Sequence, residues 1–213
     1  MRITSDLIAR TALRLLNDVG LEGLTMRVLA KELGVQAPTL YWHVKNKQEL
    51  LDAMADLMAE EAADGLEAPG RGTSWQEWTA ELARKARRTM LRYRDGARVS
   101  AGSYSTSPAV ARTIELTLRT LADAGFPVAE AARAFPTILH YTIGFTIEEQ
   151  ARMGAAYEGS NPYAEGLGLA VDPGKHPLTA SVAEELHGVD SEANFEYGLS
   201  IVLTGMRVEV LGP

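Results

Sequence analysis

"VQAPTLYWHVKNK", residues 35–47, sets Tyr41, Trp42 and His43 side by side on what reads as one short helix, with Lys45 and Lys47 directly behind. So short an element turns only one or two of its rings toward a core. The preceding "TMRVLAKELG" (25–34) reads as another short helix, N-capped by Thr25 and stopped at Gly34. Two short helices joined at "LGV" make a helix-turn-helix pattern, in which Gly34 can take the positive φ of a tight turn. Small Ala30 lets the helices approach, and Leu29, Leu33, Leu40 and Val44 are spaced to share a core with an earlier helix. That leaves Gln36, Ala37, Thr39, Tyr41, Trp42 and His43 largely outside it. An amide for base edges, small residues for close approach and ring surface for thymine methyls suit a recognition helix. Lys45 and Lys47 then flank it as phosphate contacts. Spacing alone leaves a second reading open, in which Tyr41 and Trp42 are partial core residues of two ordinary amphipathic helices.

Outward from this stretch, helical periodicity dominates and no alternating strand stands out. Ser5 and Asp6 are expected to cap a first helix that Gly20 stops, and a fourth helix is expected from about Lys47 to Asp64. "EAPGRGT" (67–73) reads as a connection, and Ser74 with Glu77 as a capping box for a helix to about Tyr93. After the turn "GSYSTSP" (102–108), a helix runs to Gly125. A long helix over 129–152 holds Pro136, where a kink is expected. Residues 154–177 are Gly/Pro-rich, and two helices, 178–187 and about 191–210, close the chain. The expected class is all-α, in three parts: a helix-turn-helix domain over 1–46, a connecting helix over 47–66, and a larger helical domain over 67–213.

The 213 residues carry 46% hydrophobic side chains, enough for a sizeable core, and a net charge of −7. Residues 1–50 hold seven Lys/Arg against five Asp/Glu, about +2, whereas the rest is strongly acidic. The asymmetry points the first part toward phosphate. The absence of cysteine excludes disulfides and thiolate metal sites. No apolar run is long enough for a membrane span and no signal peptide is evident, so a cytoplasmic protein without membrane contact is expected.

"LTMRVLAKELGVQAPTLYWHVKNKQELLDAM" (24–54) resembles the DNA-binding domain of the tetracycline-repressor (TetR) family, and "PTLYWHVKNK" is its most specific part. "GTSWQEW" (72–78), "YRDGARV" (93–99), "HYTIGFTIEEQ" (140–150) and "FEYGLSIVLTGM" (195–206) continue the resemblance in order. It implies a DNA-binding repressor, with groove-facing positions at Arg27, Gln36, Ala37, Pro38, Thr39, Tyr41, Trp42 and His43. Lys47 would meet the backbone just after the helix. The tetracycline-binding members have a Gln where this chain has Ala37 and a Thr where it has Met26, which implies a different operator.

The resemblance also implies a homodimer on a palindromic double-stranded operator, its interface built from the last helix and the "HYTIGF" helix of each subunit. Phe195, Leu199, Val202 and Met206 form a stripe on that last helix, beside Gly198 and Gly205. A buried core helix within a single chain is the other reading of that stripe. In the tetracycline-binding members the drug binds with magnesium, through polar residues and a His. Ser100 replaces that His, and Ala63, Leu82, Ala86 and Thr117 replace further drug contacts. A Thr survives only as Ser103. The implied pocket, lined by Leu82, Ala86, Ser100, Ser103, Ile114, Thr117, Phe135 and Leu139, suits a small hydrophobic inducer other than tetracycline–magnesium. No metal or cofactor is expected. His140 and Glu148 stand either as a weak ion site or as a helix-interface histidine with an unrelated carboxylate, and Trp75 and Trp78 read as core. Two other functions were open: a DNA-binding regulator controlled by a protein partner instead of an inducer, and an enzyme using His140 with Glu148 or Glu149. No nucleophile motif, metal triad or phosphate loop supports the enzyme.

Overall fold

Side-chain caps decide where the helices begin. Thr4 accepts from the backbone N–H of Leu7 and starts α1 (Ser5–Gly23), so the cap lies one residue before the expected Ser5 and Asp6. The chain leaves helical geometry at Gly20, the predicted stop, and adds one further turn beyond it. Thr25 caps α2 (Met26–Glu32), and Gly34, at φ 66°, turns the chain into α3 (Ala37–Tyr41). Asn46 caps α4 (Lys47–Ala63). Ser74 and Glu77 form the expected capping box of α5 (Trp75–Leu91). There follow α6 (Gly96–Ala101), α7 (Pro108–Asp123) and α8 (Val128–Arg152), then short α9 (Pro177–Ser181) and α10 (Ser191–Leu211). This computed structural model describes residues 2–105, 107–153, 172–183 and 190–212; these form helices and no strand. Most of the Gly/Pro-rich 154–177 stretch and the second half of the expected 178–187 helix lie outside the described residues.

The expected long helix with Pro136 inside it is present as α8. Residues 96–101, for which no element was expected, form helix α6. On α10 the stripe taken toward a dimer interface faces inward: Phe195 and Leu199 are buried with Leu203, and Val202 and Met206 pack against the same cluster. Gly198 is a close-approach residue within the chain, because a Cβ there would overlap the Tyr141 ring and hydroxyl.

The first core joins α1 to α4. Ile8, Leu16, Leu24, Leu29, Leu40, Val44, Leu50 and Met54 are all but inaccessible in it. A second core, between α5, α7, α8 and α10, holds Trp75 edge-on to Phe126, with Leu121, Ile138 and Phe195. Trp78 is buried beside Leu66 and Leu82, its indole N–H donating to the Glu67 carbonyl. Both tryptophans are core residues, as expected. No helix among the described residues is long and apolar enough to cross a membrane.

Candidate functional site

The surface built around α3 follows from what its core takes. Leu40 and Val44 are buried, so the side chains between and before them point out. Gln36, Pro38, Tyr41, Trp42 and His43 are exposed; Ala37 and Thr39 are half-buried. Trp42 is 87% exposed and Tyr41 48%, which removes the reading of both as core. The three rings do not share one helix, because α3 ends at Tyr41, with Trp42 at its C-cap and His43 beyond. Ser5 Oγ donates to the His43 carbonyl at 3.1 Å and ties that turn to α1. Arg27 lies exposed on the adjacent α2. Lys47 Nζ donates to the Leu21 carbonyl at 3.0 Å, which leaves two of its three protons available. Arg27, Lys31 and Lys45 form no ion pair with any described residue. Unpaired cations around exposed polar and aromatic side chains are suited to a polyanion.

The second feature is a cavity of about 350 Å³ bounded by α4 to α8. All eight positions named for the pocket lie on its wall: Leu82, Ala86, Ser100, Ser103, Ile114, Thr117, Phe135 and Leu139. Sequence reasoning missed the wall from α4, where Ala55, Met58, Ala59 and Ala62 join the anticipated Ala63. Its signal was legible, since alanines at 55, 59 and 62 recur at helical spacing. His140 and Glu148 are exposed on α8 and neither lines the cavity. No cluster of His, Cys, Asp and Glu among the described residues could hold a metal.

Reader and cavity are stitched together through α6. Asp95, at its N-cap and in the left-handed region (φ 60°), accepts from the Leu21 backbone N–H at 2.9 Å. Arg98 bridges Asp95 and Glu22, and its hydrogen bond holds the Glu22 carboxyl below its ordinary pKa. Gln48 of α4 donates to the Gly102 carbonyl. From the other side, Gln150 of α8 accepts from Ala97 N–H and donates to the carbonyls of Met90 and Tyr93.

A buried ion pair also escaped the sequence. Arg87 donates two hydrogen bonds to Glu149, at 2.8 and 2.7 Å, and one to Glu192 at 2.5 Å, with its guanidinium over the Phe195 ring. The Glu149 hydrogen bonds raise the Arg87 pKa further, so the charge is permanent. Nearby, Arg84 grips Glu196 with two bonds of 2.6 Å and lowers that carboxyl's pKa. One signal was available: Arg87 lies four residues after Ala83 and three before Met90, on the buried face of α5.

Comparison with known proteins places this architecture. The model for bacterial regulatory proteins of the tetR family matches residues 8–54, and that for the tetracyclin repressor-like C-terminal domain matches 68–210. The chain belongs to the TetR family. It is 37% identical to the class A tetracycline repressor of transposon 1721 from Escherichia coli, over 96% of this chain and 91% of that one. A possible TetR family regulator from Streptomyces coelicolor A3(2) superposes with a TM-score of 0.86 at 42% identity, covering 96% and 98% of the two chains. ActR from Streptomyces coelicolor, solved in complex with (S)-DNPA, gives 0.82 at 29% identity over 99% and 100%. As a TetR family member the protein is a DNA-binding transcriptional regulator and not an enzyme. The TetR resemblance seen in residues 24–54 thus extends over nearly the whole chain.

Proposed function

We propose that the protein is a cytoplasmic, homodimeric repressor that holds a palindromic operator through the α3 surface and leaves it when a small hydrophobic molecule, other than tetracycline–magnesium, enters the cavity. The observation that carries this reading is the double role of α4. Its first half closes the reader's core with Leu50 and Met54, and its second half supplies five residues of the cavity wall. Anything that displaces the wall acts on a helix that helps build the reader's core. Inducer control also draws support from relatives with bound ligands, ActR with actinorhodin and a TetR variant from Acinetobacter baumannii AYE with minocycline.

In this reading Arg27, Gln36, Ala37, Pro38, Thr39, Tyr41, Trp42 and His43 face the groove and Lys47 meets a phosphate. The dimer draws on the outer face of α10, where Tyr197, Ile201, Val208 and Leu211 are exposed in one stripe. An apolar stripe of that kind is usually covered. Two recognition helices must match half-sites about 34–36 Å apart, so a displacement of α4 and α6 weakens both contacts together. Ligand shifts the equilibrium only by its preference for the released state. A gel shift with the DNA upstream of the protein's own gene tests the proposal. We expect one palindromic site, bound by two chains and released by a hydrophobic small molecule. A protein that binds no palindrome from its own neighbourhood, or binds as a single chain, would not be this repressor.

A further inference from the structure

Residues 3–5 are fastened to the far end of the recognition surface. Ile3 is half-buried and packs against the reader's core. Thr4, in extended backbone (φ −136°, ψ 158°), caps α1 through its hydroxyl. Ser5 Oγ donates to the His43 carbonyl in the turn after α3. These three anchors hold Arg2, a residue outside the groove-facing set, near that turn. Arg2 is exposed and forms no ion pair with any described residue. Two acids of this corner are already engaged: Asp6 holds Arg10 at 3.0 Å, and Glu49 accepts from the Lys45 backbone N–H. Arg2, Lys45 and Lys47 leave the corner with a positive balance.

We infer that Arg2 is a further specificity-determining residue for DNA, entering the minor groove that flanks the base pairs read by α3 and favouring A·T pairs there. This rests on the reading of α3 as the groove-facing element. With α3 in the major groove, the turn after it meets the sugar-phosphate strand at the groove's edge. Behind that strand lies the minor groove of the flanking base pairs. An extended residue advances the chain about 3.3 Å, so Arg2 starts within about 10 Å of Ser5 and adds its own long side chain. A lysine there would stop at a phosphate, because its ammonium keeps its water. A guanidinium is planar and weakly hydrated, and A·T tracts narrow the minor groove and deepen its negative potential. Arms that precede a helical reader use arginine in this way.

The test is selection of bound duplexes from a random library by the full-length protein, Arg2→Ala and Arg2→Lys, followed by competition gel shifts on the selected site with A·T or G·C flanks. The wild type should enrich A·T pairs beside the bases read by α3, at symmetry-related positions if the site is palindromic, and prefer A·T flanks about tenfold. Arg2→Ala should lose that preference while selecting the same central bases and melting at the same temperature, since the side chain is exposed. Arg2→Lys should keep most of the affinity and lose the preference. Three results would overturn the inference. One is an Arg2→Ala protein that still prefers A·T flanks. Another is equal weakening on both flanks with a salt slope lowered by about one, the mark of a phosphate contact alone. The third is a change in the central bases, which would mean that Arg2 acts by positioning α3. Failure of the wild type to select any sequence would remove the α3 reading and this inference with it. A palindrome with indifferent flanks would remove only the role of Arg2.

Discussion

The two halves of the molecule treat polar groups in opposite ways. In residues 2–46 the only buried polar side chain is Thr11, and every candidate contact residue from Gln36 to His43 reaches the surface. Among the described residues of the body, eleven polar or charged side chains are buried, Arg87, Asp95, Glu149 and Gln150 included. The reader is a hydrocarbon plug with its chemistry outside. It suits a large polyanion met at a water-filled surface, where cations act by releasing counterions. The body holds its chemistry inside, which suits a small molecule stripped of water. It teaches that one scaffold can hold two recognition tasks of opposite design: the reader carries its polar groups on its surface, while the cavity wall has hydroxyls as its only polar side chains.

The most forceful way to break the comparison is to attack the body's buried charge. Arg87→Ala leaves Glu149 buried and unpaired, and we expect a loss of about 3–5 kcal/mol in urea unfolding. Replacing both partners, Arg87→Met with Glu149→Leu, should recover most of it, because the pair itself is nearly neutral against a hydrocarbon filling. A cost below about 1 kcal/mol for the single variant, within the range of an ordinary surface change, would mean that water reaches the pair and the body's interior is not dry.

The helix plan was legible in the sequence because caps and stops are local. Thr25, Gly34, Ser74 and Glu77 act on the residues beside them, and each sits where it was read. The α3 surface was legible for a similar reason: fixing Leu40 and Val44 inside fixes what lies between them outside. What failed depended on distant partners. Whether the Phe195–Leu199 stripe faces its own chain or a second copy is decided by two rings some fifty residues earlier, Tyr141 stacked on Phe195 and Phe145 edge-on to it. Helix α6 is six residues long and is held by Gln150 and Leu21 instead of its own propensity. The alanine wall of α4 was periodic in plain view, but periodicity alone does not say whether small residues face a packed neighbour or a void.

A smaller effect should sharpen the reader's side. The family resemblance implies that Ala37 replaces a Gln of the tetracycline-binding members, and a side-chain amide reading an adenine is worth about 1–3 kcal/mol of discrimination. Ala37→Gln should therefore shift operator preference toward the tetracycline operator by roughly 10–100-fold in competition gel shifts. The melting temperature of the free protein should stay unchanged, because Ala37 lies at the half-buried edge of the reader. A substitution that moved stability as much as operator preference would mean that Ala37 serves the reader's core instead of its surface.

The smallest expected effect lies at the joint. Tyr93 packs against the reader's core, its hydroxyl donates to Glu61 at 2.7 Å, and its carbonyl accepts from Gln150. Burial, reinforced by the bond to Glu61, pushes its pKa up to about 12. The folded state then holds the phenol proton more tightly than the unfolded chain, whose tyrosine releases it near pH 10. The resulting stabilisation is complete below about pH 10 and is lost as pH rises from there to about 12. Because Tyr93 is only half-buried, solvent screening reduces the effect to on the order of 1 kcal/mol. Other tyrosines titrate in the same window, so the quantity to measure is the difference in urea stability between wild type and Tyr93→Phe. That difference should shrink from about 1 kcal/mol at pH 8 toward zero by pH 12, as the wild-type phenol loses its proton beside the Glu61 carboxylate. A gap that stayed constant across the window would place the Tyr93 hydroxyl in solvent, and the joint between the two halves would then rest on Gln150, Asp95 and Arg98.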